Sequence, residues 1–240
     1  MAFPDSVPER ILTVTAHPDD VDFGAAGSVA AWTAAGAHVT YCVVTDGDAG
    51  GFDPSVPRSE IPAIRRAEQT AAAAEVGVQD LIWLGHPDGR VEATLELRRD
   101  LARVIRLVRP QRVVCPSPER MWERLFASHP DHLATGEATL CAVYPDARNP
   151  FAFPELAAAG LEPHTVEEVW VMAAPGINVY VDVTDTFPAK MAALRAHVSQ
   201  ETDREGQLEE WLRGWLAANA VQAGWADGRL AEGFRRIPTG

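Results

Sequence analysis

The sequence predicts an α/β protein: a Rossmann-like, mostly parallel sheet with helices on both faces, followed by a C-terminal helical extension. Along most of the chain, short β-branched or apolar runs alternate with longer segments rich in Ala, Leu and Arg. Such alternation is typical of βαβ units, whose helices cover both faces of a parallel sheet. The composition, 47% hydrophobic and 23% charged over 240 residues, is that of an ordinary globular protein.

The first half of the chain contains four predicted strands and three predicted helices. The strands are residues 11–16 (ILTVTA), 38–46 (HVTYCVVTD), 80–85 (DLIWLG) and 112–117 (RVVCPS). The helices span about 23–35, 61–76 and 95–110, and the last carries apolar residues at helical spacing up to Pro110. A loop rich in Gly, Asp and Pro at 47–60 precedes the second helix.

The second half continues the pattern and ends in helices. A helix is predicted over 133–144, a Pro-rich connection over 145–164, and strands over 166–173 and 178–183. Two helices are predicted from 186 to about 223, with Trp211 and Trp215 spaced for packing on the body. Because no repeat and no low-complexity linker interrupts the chain, we expect one domain over 1–240. Its core is expected at about 11–200 and its C-terminal helical extension at about 201–240.

Charge and cysteine content argue against several classes of protein. The formal net charge of −13, from 34 acidic and 21 basic side chains, disfavours nucleic acid or an anionic membrane as a partner. The N-terminus lacks the pattern of a signal peptide, and no apolar run approaches the length of a membrane span. The three cysteines have no CxxC spacing, which favours reduced thiols and a cytoplasmic location.

The tripeptide His-Pro-Asp occurs three times, and each copy follows a predicted strand. The copies are HPDD at 17–20, HPDG at 86–89 and HPDH at 129–132. Open α/β sheets bind ligands outside the carboxyl ends of their strands. We therefore expect all three copies at one edge of the sheet.

HPDD and HPDH together contain the residue types of a catalytic zinc site. Such a site needs three protein ligands, here two imidazoles and one carboxylate, and one open position. The other aspartate of HPDD can then act as a base toward water. The other imidazole of HPDH can stabilise an oxyanion or protonate a leaving group. Proline restricts the backbone of both motifs, which lowers the entropic cost of assembling the ligands.

Two structural interpretations stand beside this one. Asp19 and Asp20 precede a predicted helix, where Asp is a favoured N-cap residue. In the remaining copy Gly89 brings no donor atom and Pro-Asp-Gly is a turn signature, so we do not expect His86 to be a ligand. Asp88 is still able to face the pocket.

Several segments resemble the LmbE-like, or PIG-L, family of metal-dependent de-N-acetylases, which includes enzymes of mycothiol and bacillithiol metabolism. The resemblance is carried by AHPDDVDFGAAGSVA followed by SHPDH. Further similar segments occur in the expected order: VVTDGDAG, IRRAEQTAAAAEVGV, LGHPDG and ALRAHVSQ. The similarity covers most of residues 11–200.

The resemblance implies a role for each polar residue of the two motifs. The implied ligands of one Zn²⁺ are His17, Asp20 and His132. Asp19 is implied to be the general base, and His129 the acid or the partner of the oxyanion.

The resemblance also implies roles for residues outside the two motifs. Arg65 matches a substrate-contacting arginine, and Asp88 matches a residue that contacts a sugar hydroxyl. His197 matches a recurrent position without an assigned role. The family's first motif usually ends in Glu where this chain has Asp22, which we expect to lie behind the ligands or to cap a helix.

The resulting expectation is a zinc-dependent N-deacetylase that removes an acyl group, above all acetyl, from a small-molecule amino sugar or its conjugate. A mycothiol S-conjugate-type amidase fits the same centre. Two further alternatives are a non-catalytic sugar-binding module and a non-haem iron oxygenase with two His ligands and one carboxylate. We expect the loops at 47–60 and 144–165 to determine specificity, and assembly into a homo-oligomer is left open.

Overall fold

A computed structural model describes residues 7–51, 53–200 and 206–239 of the protein. In this part of the chain, seven strands form one mixed sheet. Residues 1–6, where a signal peptide would begin, and 201–205, the start of the predicted extension, lie outside the described residues. The strands are β1 (Arg10–Thr15), β2 (His38–Thr45), β3 (Asp80–His86), β4 (Arg112–Pro116), β5 (Glu168–Met172), β6 (Val179–Asp182) and β7 (Ala231–Pro238).

The order of the strands across the sheet is β3-β2-β1-β4-β5-β7-β6. The first five strands pair in parallel, while β7 is antiparallel to both of its neighbours. The chain moves outward from β1 to β2 and β3, then returns to place β4 on the other side of β1. The carboxyl ends of β1 and β4 therefore flank the point where the strand order reverses, which is the usual ligand site of open α/β sheets.

Helices connect the strands. They are α1 (Asp20–Ala34), α2 (Ile61–Glu75), α3 (Leu95–Val108), α4 (Pro130–Cys141), α5 (Pro154–Ala158), α6 (Phe187–Arg195) and α7 (Leu208–Gln222). Short 3₁₀ segments span Trp122–Ala127 and Val198–Gln200, and a π-turn spans Ala142–Asp146. None of the described helices combines the length and apolar character needed to cross a bilayer.

Both faces of the sheet are buried, as predicted. Leu12 and Val14 of β1 pack with side chains of α3 and α4 on one face. Ile11 packs on the other face with side chains of α1 and α2. Alternation along β1 thus serves two apolar cores, which explains why this strand and its neighbours are apolar almost without interruption.

Close packing of α4 on the sheet determines where its first turn lies. Gly136 is in the middle of α4, and a Cβ atom at this position would lie 2.4 Å from the carbonyl oxygen of Pro116, the last residue of β4. Only glycine permits this approach. It brings the N-terminus of α4, and with it the HPDH motif, to the carboxyl end of β4.

The C-terminal tail differs from the predicted helical extension. α7 is helical as expected, but residues 231–238 form β7, which inserts between β5 and β6. The strand pattern was obscured by Arg235 and Arg236, whose charges are neutralised by Glu119 and Glu168. The tail is therefore an integral part of the sheet.

A buried ion pair ties β7 to two helices. Lys190 of α6 and Glu232 of β7 are 0% and 1% exposed, and the Lys190 Nζ to Glu232 Oε1 distance is 2.7 Å. Lys190 Nζ also donates to the carbonyls of Asp22 and Phe23, while Glu232 accepts from the backbone N–H groups of residues 27–28. Every charge of the pair has hydrogen-bonding partners in α1.

Lys190→Ala is expected to lower the free energy of unfolding by about 3–5 kcal/mol, because it leaves the Glu232 carboxylate buried without a counter-charge. Urea denaturation checks this value. Arg229→Ala is the matched control: it removes an ion pair to Asp182 whose arginine is 51% exposed, and such pairs contribute about 0–1 kcal/mol. Equal denaturation midpoints for the two variants would contradict the structural role given to Lys190.

Candidate active site

The HPDD and HPDH motifs meet at the carboxyl ends of β1 and β4. His132 Nε2 lies 2.9 Å from Asp20 Oδ1 and 3.3 Å from His17 Nδ1. His17 Nδ1 is in turn 3.5 Å from Asp20 Oδ2. The ring of His129 lies 5.0 Å from that of His17 and 5.4 Å from that of His132, measured between centroids. The structure thus brings together the three implied ligands and His129.

The geometry of His17, Asp20 and His132 fits a metal ion. Ligand atoms about 2.0–2.2 Å from a tetrahedral zinc ion are separated from one another by roughly 3.3 Å. From His132 Nε2, the separations to Asp20 Oδ1 and His17 Nδ1, 2.9 and 3.3 Å, are close to this value, and His17 Nδ1 lies 3.5 Å from the other oxygen of Asp20. Asp20 Oδ2 accepts from the backbone N–H groups of Ala16 and His17, which leaves Oδ1 directed at His132. His17 Nδ1 and His132 Nε2 are 3.3 Å apart, and because their lone pairs repel, they need a proton or a cation between them.

The opposite nitrogen of His17 faces two buried carboxylates. His17 Nε2 lies 3.1 Å from Asp88 Oδ1 and 3.2 Å from Asp131 Oδ2. Asp131 also accepts from the backbone N–H groups of Gly89 and Val91. A metal-binding histidine usually donates its other ring N–H to such a carboxylate. This arrangement accounts for Asp131, to which the sequence analysis gave no role.

The surroundings of His17 favour positive charge. Burial lowers the pKa of His17, but the carboxylates of Asp20, Asp131 and Asp88 outweigh it and raise the pKa to about 12. Donor atoms of His17, Asp88 and Asp131 also lie within 4.8 Å of one another, as do those of His17 with His129 and His132. Both oxygens of Asp131 accept backbone N–H groups, whereas the backbone N–H groups on Asp20 are on Oδ2 and leave Oδ1 for the metal, so the face with His132 is the better candidate.

Asp19 is held in an unusual backbone conformation by α2. Its φ is 89°, in the left-handed region that residues other than glycine rarely adopt. Gln69 Oε1 accepts from Asp19 N–H at 2.8 Å, and Arg65 Nη2 donates to the Pro18 carbonyl at 2.6 Å and to Asp19 Oδ2 at 3.1 Å. The Asp19 side chain makes no capping hydrogen bond to α1. Helix capping therefore does not explain this residue.

The environment of Asp19 suits proton transfer. Burial and the neighbouring Asp20 carboxylate raise the pKa of Asp19 to about 7, although the charge of Arg65 acts in the opposite direction. A general base is most effective when its pKa lies near the working pH.

Arg65 and Asp88 lie behind the cluster, where the contacts favour positioning roles over the predicted contact with substrate. The Nη1 and Nη2 atoms of Arg65 donate to protein partners, the Gly47 carbonyl among them, while its buried Nε has no hydrogen-bond partner among the described residues, and the residue is 3% exposed. Asp88 is 7% exposed, and its second oxygen accepts from Ala49 N–H at 2.9 Å. Arg65 thus lies against Asp19 and Asp88 against His17, and their contact with substrate stays a prediction.

A buried chain of polar side chains continues away from Asp19. Gln69 Nε2 donates to Asp22 Oδ2 at 2.8 Å, and His197 Nε2 donates to the same oxygen at 2.8 Å. Asp22 and His197 are fully buried. Asp22 thus lies behind the cluster, as predicted, and His197 supports Asp22. Gln69 was missed from the sequence, although it follows Arg65 by one helical turn.

His129 caps α4 through its side chain. Its Nδ1 accepts from the backbone N–H of Asp131 at 3.2 Å, so the ring proton is assigned to Nε2. Burial and the nearby His17 and His132 lower the pKa of His129, which favours a neutral ring with one N–H donor. The residue is exposed.

The HPDG copy contributes Asp88 and not its histidine. His86 Nε2 lies 3.3 Å from Asp100 Oδ2 of α3, and the structure describes no contact between His86 and the cluster of His17. His86 thus lies apart from the candidate ligands, and that it is not a ligand stays a prediction.

A cavity of about 830 Å³ opens beside Asp20 and His132. Its other described lining residues come mainly from α1, α7, residues 121–127 and residues 172–177, and most are apolar. Residues 144–165, one of the two loops predicted to determine specificity, contribute no residue to this lining, so that role stays a prediction. Arg106 holds that loop elsewhere by donating to the carbonyls of Asp146, Ala147, Asn149, Ala152 and Leu161. The 47–60 loop contributes instead the backbone groups that bind Arg65 and Asp88.

Comparison with known proteins identifies the family. The model of the PIG-L family, described as GlcNAc-PI de-N-acetylase, matches residues 12–143. The chain is 33% identical over 232 residues to diacetylchitobiose deacetylase from Thermococcus kodakarensis, covering 96% of this chain and 84% of that protein. It is 32% identical over 207 residues to a probable N-acetyl-alpha-D-glucosaminyl L-malate deacetylase 2 from Bacillus anthracis, covering 83% and 85%.

A solved structure agrees with both sequence comparisons. The structure of N,N'-diacetylchitobiose deacetylase from Pyrococcus horikoshii superposes with a TM-score of 0.87 at 30% identity, covering 97% of this chain and 85% of that one. The matched family region includes both HPDD and HPDH. The chain belongs to the PIG-L family of de-N-acetylases.

Proposed function

We propose that this protein hydrolyses the N-acetyl group of an amino sugar or amino-sugar conjugate. The observation that carries the proposal is the convergence of HPDD and HPDH on one compact group of donors beside an open cavity. The names of its relatives support the reaction, because both describe removal of an acetyl group from an N-acetylated amino sugar.

The proposed metal is one Zn²⁺ per chain, held by His17, Asp20 and His132. The donor set of two imidazoles and a carboxylate is one that catalytic zinc sites use. When bound, Zn²⁺ supplies a Lewis acid that polarises a carbonyl and lowers the pKa of water. Asp88 and Asp131 orient His17 for this task through its Nε2.

The remaining groups move protons. Asp19 is proposed to accept a proton from the attacking water, with Arg65 and Gln69 holding its carboxylate and backbone in place. His129, with its N–H on Nε2, is proposed to donate a hydrogen bond to the oxyanion or a proton to the departing amine.

The presence of Asp19 favours hydrolysis over the alternatives. An iron oxygenase needs two histidines and one carboxylate, and has no use for a further, half-buried carboxylate in a strained backbone conformation beside them. A non-catalytic binding module has no use for such a carboxylate either. An S-conjugate-type amidase uses the same groups and differs only in the substrate.

The test is to incubate zinc-loaded protein with N-acetylglucosamine and with N,N'-diacetylchitobiose and to measure free amine and acetate. We expect the two products in equal amounts. Binding of either sugar without amine release would show a binding module, and oxygen consumption by iron-loaded protein would show an oxygenase. Either result would overturn the proposal.

A further inference from the structure

Helix α7 contributes an aromatic wall to the cavity beside the candidate active site. Trp211 and Trp215, one turn apart, have ring centroids 5.8 Å apart and planes inclined by 30°. Both line the cavity, and Trp211 is 48% exposed. Trp215 also packs partly on the apolar cluster between α6 and α7, which anchors the wall to the fold.

The aromatic wall and the candidate metal ligands share one cavity. Asp20 and His132 line it together with Trp211 and Trp215. Its volume of about 830 Å³ lies toward the upper end of the range for small-molecule sites, which is about 300–1,000 Å³. A single sugar ring whose acetamido group reaches Asp20 and His132 would leave much of this space unfilled. The substrate is therefore expected to continue toward α7.

The residues around the wall indicate which kind of chemical group the substrate places against it. Among the described lining residues, Asp20 is the sole carboxylate, and the sole Lys or Arg is Arg124, whose guanidinium lies over the Trp215 ring, 5.6 Å from its centroid. Uncharged polar groups come from Tyr180, Asn219 and Gln222. The exposed indole of Trp211, bordered by the Tyr180 hydroxyl and the Gln222 amide and backed by Trp215, suits a pyranose, which has an apolar C–H face and a polar edge. A strongly anionic substituent would need more positive charge.

On the basis of the proposed function, we propose that Trp211 and Trp215 form a subsite for a second, uncharged sugar ring linked to the acetamido sugar. The wall then determines specificity for a disaccharide over a monosaccharide. The wall contacts the sugar ring that is not deacetylated, so it contributes to the choice of substrate and not to the chemical step.

The test compares N-acetylglucosamine with N,N'-diacetylchitobiose on zinc-loaded wild type, Trp211→Ala and Trp122→Ala. We expect wild type and Trp122→Ala to prefer the disaccharide by about tenfold in kcat/KM, and Trp211→Ala to lose this preference through a fall in kcat/KM for the disaccharide. Trp122 is 77% exposed and is absent from the cavity lining, so Trp122→Ala controls for removal of an exposed indole. Calorimetric binding of the disaccharide to the metal-free proteins gives a readout independent of turnover.

Several results would overturn the subsite while leaving the proposed function intact. One is equal kcat/KM for the two sugars in wild type, and another is an unchanged preference in Trp211→Ala. An aryl N-acetylglucosaminide with the same Trp211-dependent advantage would assign the wall to apolar groups in general. If neither sugar releases amine, the proposed function fails, and calorimetry then decides whether Trp211 still binds the disaccharide.

Discussion

Replacing Asp19 with Asn is expected to lower kcat for amide hydrolysis by about 10²–10⁴-fold while the metal content stays unchanged. The amide has almost the shape of the carboxylate, and its oxygen can still accept from Arg65 Nη2. Asn also tolerates the left-handed backbone conformation required at this position, where φ is 89°. The variant therefore removes the base without disturbing the fold. Amine release and elemental analysis on the same preparation measure the two quantities.

The control for Asp19→Asn is Asp100→Asn, which removes a partly exposed carboxylate paired with His86. We expect this control to keep the activity of wild type. Turnover by Asp19→Asn within a few fold of wild type would place the base elsewhere. Loss of metal from Asp19→Asn would show that Asp19 is a ligand. It would contradict the assignment of proton transfer to Asp19 and metal binding to Asp20.

Replacing His132 with Ala is expected to remove both the metal and the activity. His132 Nε2 lies within 3.3 Å of both the His17 and the Asp20 donor atoms, so the variant breaks the proposed donor set at its centre. Loss even of an outer-shell partner usually weakens metal affinity about 10–100-fold, and we expect a larger effect for a ligand. His86→Ala is the matched control, because it removes the histidine of the same tripeptide from the copy that lies outside the cluster.

Variants on the two sides of His17 distinguish the two places where a metal could lie. If the metal is at Nδ1, Asp20→Ala abolishes binding, whereas Asp131→Asn weakens binding by about 10–100-fold through the orientation of His17. The reverse order of effects would place the metal between His17, Asp88 and Asp131. Competition with a chelator of known affinity measures both variants.

The central strands and most helices could be predicted from the sequence because their signals are local. β1 to β5 are short apolar runs, and the helices between them have caps or apolar spacing of their own. Thr94, for example, accepts from Leu97 N–H at the start of α3. Once the strands are parallel, the rule that ligands bind at their carboxyl ends places HPDD and HPDH at one edge.

The features that sequence reasoning missed depend on partners far along the chain. β7 is a strand because β5 and β6 accept it on both sides, and Glu232 is buried because Lys190, 42 residues earlier, neutralises it. Asp131 was overlooked because the two histidines of HPDH were the more obvious ligands. Its position in the first turn of α4, opposite His17, emerges only when α4 packs against β4.

Arg65 shows the limit of assigning roles by similarity alone. Its position in the RRAE segment implies contact with substrate, and an arginine on a helix is more often solvated. Its 3% exposure and its hydrogen bonds to Pro18, Asp19 and Gly47 instead favour a residue that shapes the HPDD turn. No spacing rule reveals this, because the turn and α2 are separated by about 45 residues and a strand.

The most direct test of the account is to titrate metal-free protein with Zn²⁺ and to follow amine release from N,N'-diacetylchitobiose. We expect no turnover without metal and a linear rise in activity that reaches its maximum at one Zn²⁺ per chain, with no rise for His132→Ala. Turnover by the metal-free protein, or a rise in His132→Ala equal to that of wild type, would contradict a catalytic metal held by His17, Asp20 and His132.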